Sequence, residues 1–194
     1  MLSPQEFVAA WGEDRYLLPP DLLQDIDIPK SSKAFLREAG LPQRAEVPLG
    51  FYVVPLPVVP ASPPVQAAKH PLLSRYLSTR FRLLAYLYYD YWRGDEIYYA
   101  VEEGTGHVYC TGSGLNGTGL EPQQFVNSSL PQFAEFLLCY REFLTHFRPT
   151  EPERSQVMPL ITSLGQQWRG IDPMAMAEAE NYWPYDLEDM ELQL

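Results

Sequence analysis

Three groups of residues in this chain have the types and spacing that chemistry needs. The first is Gly112-Ser-Gly114-Leu-Asn-Gly117, a literal G-x-G-x-x-G directly after a strand-like run. In a dinucleotide site such glycines let the backbone approach a pyrophosphate held at the start of a helix. The context here is wrong: Thr118-Gly119-Leu120-Glu121-Pro122 does not open a helix, and no lysine follows Gly117 to complete a phosphate-binding loop. A bulged or flexible connection is the better reading, and no cofactor is expected. The second group is cysteine and histidine. His107 and Cys110 stand three apart on a strand-like run and so point to opposite faces. Cys139 sits beside the apolar face of a helix, where a free thiol behaves as a small buried hydrophobe. His70, His107 and His146 are the only histidines and draw no metal cluster. The third group is the carboxylate pairs Asp95-Glu96, Glu102-Glu103 and Glu188-Asp189. Acid–base catalysis needs two carboxyls in different environments across a cleft, whereas sequence neighbours at turns and tails are solvated. No catalytic residue is expected, and the chain reads as a binding protein rather than an enzyme.

Charge says more. Asp and Glu number 25 against 14 Lys and Arg, a formal charge of −11 with a pI near 4.6. Such a field repels nucleic-acid phosphates and anionic membrane surfaces and favours a partner with a basic surface. Solubility alone is the plainer account of the same charge. The acidity gathers in two places, the Glu102-Glu103 turn and the C-terminal stretch 171–194. That stretch holds Asp172, Glu178, Glu180, Asp186, Glu188, Asp189 and Glu191 without a single Lys or Arg. Trp183, Tyr185, Leu187 and Met190 are interleaved with them. Candidate partner-binding residues are therefore Glu102, Glu103, Trp183, Tyr185, Asp186, Glu188 and Asp189; the alternative for the C-terminal ones is a frayed, solvated tail.

The elements that must position these residues fit one domain over residues 1–194. Ser3, Pro4 and Glu6 open a first helix with a capping box. Ser32 to Ala39 is a second, stopped by Gly40 in a left-handed conformation with Pro42 beyond. Phe51-Tyr-Val-Val is a short strand ended by Pro55, and belongs near a sheet edge. Residues 55–71 carry six of the 19 prolines and read as a stiff segment wrapped on the body. Strands are expected over 80–90, 96–102 and 107–111, the last two joined by a tight turn at Glu103-Gly104-Thr105-Gly106. They make an antiparallel meander, with Leu83, Ala85, Leu87 and Tyr89 on one face and Leu84, Tyr86, Tyr88 and Trp92 on the other. The glycine-rich loop 111–122 follows. Ser129, Pro131 and Gln132 open a long helix whose Phe133, Phe136, Leu137, Tyr140, Leu144 and Phe147 share one face, and Pro149 marks its end. Helices are also expected at 152–168, kinked or shortened by Pro159, and at 173–181. No repeat, disulfide framework or bilayer-length apolar run is present. MLSPQEF does not read as a signal peptide, so the glycosylation acceptors Asn116-Gly-Thr and Asn127-Ser-Ser carry no meaning, and two cysteines without a disulfide framework fit a reducing cytosol.

The order of these features carries a resemblance. Ser31-Ser-Lys-Ala-Phe-Leu-Arg-Glu-Ala-Gly-Leu-Pro42, the Ile-Tyr-Tyr-Ala-Val…Gly106-His-Val-Tyr109 hairpin, and Phe125-Val-Asn-Ser-Ser-Leu130…Phe133…Phe136 together resemble the SUKH superfamily, and within it the fourth subgroup of bacterial immunity proteins. The resemblance covers roughly residues 5–147, with Trp183 in the family's tail; the proline segment departs from it. It implies an α+β fold with a mainly antiparallel sheet flanked by helices. It also implies a non-enzymatic role: binding and neutralising a cognate protein toxin, such as a nuclease or deaminase, of a polymorphic or contact-dependent system. An adaptor or regulatory interaction domain of the same fold, with no toxin, is the alternative.

Overall fold

The computed structural model describes residues 2–18, 20–42, 45–47, 51–55, 81–88, 96–112, 124–147 and 154–192. The proline segment beyond Pro55 and the glycine-rich loop with most of its G-x-G-x-x-G lie outside them. Helix α1 (Pro4–Trp11) opens with the expected capping box, the Glu6 amide donating to Ser3 Oγ and the Ser3 amide to Glu6 Oε2 at 2.8 Å. Its Phe7 and Trp11 point inward because they fall one helical turn apart. Strand β1 (Arg15–Tyr16) pairs with β2 (Leu41–Pro42), and between them lie α2 (Pro20–Asp25) and α3 (Lys30–Glu38). The α2 helix falls in what reads from sequence as a connection. Leu23, Ile26 and Ile28, in and after it, are all buried. The α3 helix begins two residues before the expected Ser32, which is buried; Gly40 ends the turn at φ 74°.

The six strands β3 (Ala45–Val47), β4 (Phe51–Pro55), β5 (Phe81–Tyr88), β6 (Glu96–Glu102), β7 (Val108–Gly112) and β8 (Gln124–Asn127) form one antiparallel sheet in sequence order. This is the expected three-stranded meander β5–β6–β7, extended by β4 and β3 on one side and by β8 on the other. The Phe51 strand is therefore one place in from the edge. The β5–β6 register shifts between Leu83 and Ala85, as at a bulge, while the faces taken by the β5 side chains lie outside what is described.

At the β6–β7 turn Gly104 and Gly106 have φ of 88° and 76°, and the Gly104 amide donates to the Asp27 carbonyl at 2.6 Å. A methyl at Gly104 would meet nothing, whereas at Gly106 it would sit 2.5 Å from Pro29 Cδ. Gly104→Ala should therefore cost about 1–2 kcal/mol for the left-handed backbone alone. Gly106→Ala adds a clash worth about 1–3 kcal/mol, so it should have the lower denaturation midpoint. Equal midpoints would show that the turn is not pressed against Pro29.

Helix α4 (Leu130–Phe147) lies across α1, α3, β3 and β8, and α5 (Arg154–Ile171) packs on it. Ser129 and Gln132 meet as a cap, with the Gln132 amide 3.4 Å from Ser129 Oγ. Pro159 stands inside α5 without ending it; in its second turn it removes one hydrogen bond only. The expected helix at 173–181 is absent. Those residues form turns, and a helix follows them instead, α6 (Tyr182–Leu192). One buried apolar cluster joins residues from Phe7 in α1 to Trp183 in α6.

Candidate functional site

The acidic C-terminal stretch is not a frayed tail but a docked helix. Tyr182, Trp183 and Asp186 are buried, and Leu187 and Met190 pack partly on the core; these positions recur at helical spacing on one side of α6. Pro184 falls in the first turn, where an amide hydrogen has no helical partner to lose. Asn181, just before the helix, donates its side-chain amide to the Met174 and Ala175 carbonyls and so clamps the preceding turn.

Trp183 is the pin of this arrangement. Its ring stacks on Phe136 at 5.3 Å and 6° and meets Trp168 at 4.8 Å and Tyr182 at 4.9 Å edge-on. Its indole N–H donates to Asn127 Oδ1 at 3.0 Å. The Asn127 amide in turn donates to Asp172 Oδ2 at 3.2 Å. Asp172, 1% exposed, also accepts from the Ser128 amide and hydroxyl, both at 2.7 Å, and from the Ala175 amide at 3.3 Å. One chain of hydrogen bonds thus joins β8, the start of α4, the end of α5 and α6. On the same side of the sheet, Tyr99 of β6 and Cys110 of β7 are paired in register, and Tyr182 packs edge-on against Tyr99 at 5.6 Å. Burial pushes the Cys110 thiol and the Tyr99 and Tyr182 hydroxyls well above their ordinary values. None of the three is a nucleophile in waiting. His107 lies with Phe125 and Tyr109, on the face opposite Cys110, as its spacing requires.

The candidate partner-binding residues accordingly divide. Trp183 is fully buried, Asp186 and Glu102 are each 5% exposed, and all three side chains are turned into the protein. For Trp183 the reason is the aromatic stack. For Glu102 it is the turn itself: Thr105 Oγ1 donates to Glu102 Oε2 at 2.6 Å, and the Glu102 backbone exchanges hydrogen bonds with His107 and Gly106. For Asp186 it is its place one turn after Tyr182 on the inward side, where burial raises the carboxyl to a pKa of about 8, the Tyr182 hydroxyl countering in part. Glu103 is half-buried, its carboxylate 3.5 Å from the Asp27 amide. Tyr185, 56% exposed, and Glu188 face outward, with Asp189 at the flank. Reading the sequence for charge missed Leu192, which is 74% exposed on the same stripe, three and four residues beyond Asp189 and Glu188. Helical spacing from Tyr185 is the signal that would have found it. The turn bearing Glu103 is tied to Asp27, α6 to β8 and α5, and no described contact brings the two acidic places together. Among the described residues, no three His, Cys, Asp or Glu side chains are grouped to hold a metal ion.

A family model of the SUKH-4 immunity proteins matches residues 2–189. The chain belongs to the SUKH-4 immunity protein family. The match extends the resemblance of the N-terminal three-quarters through α5 and along α6 to Asp189, so the docked helix lies within the SUKH-4 region. Neither the curated proteins nor the solved structures supplied a match. No helix among the described residues is long and apolar enough to cross a membrane.

Proposed function

We propose that this SUKH-4 protein works in the bacterial cytosol by binding and neutralising a cognate protein toxin, without catalysis of its own. The family match over residues 2–189 is the observation that carries the reading. Charge supports the finer part of it. With a net charge of −11 and no Lys or Arg in 171–194, the surface around α6 is fitted to a basic partner, and a toxin that attacks nucleic acid, as a nuclease or deaminase does, needs a basic cleft. The contact surface we assign is the outward stripe of α6: Tyr185 as the aromatic anchor, Glu188 and Asp189 as steering charges, Leu192 at its end, with Glu103 as a separate contributor. Tyrosine combines apolar area with few rotatable bonds, which suits the centre of an interface.

The direct test is co-expression with the product of the adjacent gene. A stoichiometric complex and rescue of growth are expected; a toxic neighbour that is neither bound nor silenced would leave the adaptor reading in its place. For the surface, Glu188→Lys with Asp189→Lys should slow association by about tenfold at low ionic strength and much less at high salt. An unchanged rate at low salt sinks the assignment of α6. Asp186 is left out of this set because a charge reversal there acts on folding first.

A further inference from the structure

Asp186 is a carboxyl carried inside the protein by its position on α6, with the Tyr182 hydroxyl hydrogen-bonded to it. One of its carboxyl oxygens is buried and accepts no hydrogen bond. The Tyr99 hydroxyl, at the same junction of α6 with the sheet, also lacks a bond of good geometry, although the Tyr182 hydroxyl lies beside it. Two of the four unpartnered buried side-chain polar atoms among the described residues therefore meet under one helix. The titratable groups facing the carboxyl are Tyr99 from β6, Cys110 from β7, and Tyr182 and Asp189 from α6 itself. All of them are acids, and none supplies a positive charge. Neither β8 nor α5 brings a titratable group to it among the described residues. An ionised carboxylate in this seat would be buried, close to a second carboxylate and offset only by the Tyr182 hydroxyl hydrogen-bonded to it, with no cation facing it among the described residues, a situation that favours keeping the proton.

We propose that α6 is a protonation-controlled element: it seats on the sheet with Asp186 neutral, and its hold weakens as the medium becomes less acidic. The linkage has a definite sign. A free carboxyl gives up its proton near pH 4, whereas the seated one keeps it to about 8. The seated state therefore binds one proton more throughout the interval. Its advantage is complete below the lower limit, falls as pH rises through the interval, and levels off above about 8. Tyr99, Tyr182 and Cys110, all pushed upward by burial, do not titrate in that interval. Its consequence for partner binding, that the outward stripe is best ordered on the acid side of neutrality, rests on the function proposed above; the seat itself does not.

Hydrogen exchange over residues 182–192 of the free protein tests the seat without any partner. Corrected for intrinsic exchange, the opening constant of α6 should rise about tenfold per pH unit from pH 5 to near 8 and then flatten. In Asp186→Asn, which keeps the shape and removes the charge, it should be flat. A flat wild-type profile, or an asparagine variant with the wild-type slope, overturns the proposal. Should the variant fail to fold, the ¹³C titration of the Asp186 carboxyl in the unmodified protein decides: an inflection below about pH 5 refutes the neutral seat, and one near 8 supports it. Failure of toxin binding with the exchange profile intact would count against the proposed function alone.

Discussion

Replacing Trp183 with alanine should lower the unfolding free energy by about 3–5 kcal/mol, seen as a lower denaturant midpoint at nearly constant slope. The side chain is fully buried among Phe133, Phe136, Trp168 and Tyr182, and the neighbours that would have to close the void are themselves large rings fixed by three helices. Collapse is therefore limited, and the cavity cost falls at the upper end of its range. Trp183→Phe separates the two parts of the effect. Phenylalanine keeps a ring on Phe136 but leaves Asn127 Oδ1 without its donor inside the protein, a loss of about 1–3 kcal/mol. The alanine change removes both, so it must be the larger. A fall below about 1 kcal/mol for alanine would mean that α6 is not seated as described. The same pair bears on function. A tryptophan that contacted the partner directly would weaken binding while sparing stability, and here the order is reversed.

That reversal shows where the sequence is legible and where it stops. Helix α4 could be read because Ser129, Pro131 and Gln132 announce its start and Phe133, Phe136, Leu137 and Tyr140 repeat at helical spacing; all four of the latter are buried. The β6–β7 hairpin could be read because Gly104 and Gly106 supply positive φ between two β-branched and aromatic runs. Both signals are local. Helix α6 carries one too, since Trp183, Leu187 and Met190 lie four and three apart, but seven acidic residues in the last 24 make the stretch look like a solvated tail. Helix α2 is short and set among prolines, and β8 is a strand of four residues; neither length shows a period. Asp186 and Asp172 could not have been placed at all. A carboxyl is buried or exposed according to what faces it, and their neighbours Tyr99 of β6, Asn127 of β8 and Ser128 just after it lie 44 to 87 positions away. The outward half of the candidate site, Tyr185, Glu188 and Asp189, could be named because charge and aromatic content are properties of the residues themselves. The inward half depends on the fold.

Asp172 supplies the second large effect. Its two carboxyl oxygens accept from four donors, the Asn127 side chain, the Ser128 amide and hydroxyl, and the Ala175 amide. Asp172→Ala leaves all four without their acceptor, those of Asn127 and Ala175 buried and those of Ser128 part-buried, at the point where α5 ends and the turn toward α6 begins. Each unmet buried donor costs about 1–3 kcal/mol, and rotation of the Ser128 hydroxyl relieves one of them, so a loss of about 3–5 kcal/mol is expected. Asp172→Asn is the informative partner. Its amide oxygen can keep Asn127 and the Ser128 amide, and its amide nitrogen can donate to the Ser128 hydroxyl, which turns to accept. Only the Ala175 amide is then orphaned, at about 1–3 kcal/mol. If asparagine costs as much as alanine, negative charge holds the hub and the count of acceptors does not. If it costs less, as the geometry requires, the network acts by satisfying donors. Loss of exchange protection in α6 should then follow the loss of stability in the alanine variant, because Asn127, freed from Asp172, no longer holds its oxygen toward Trp183.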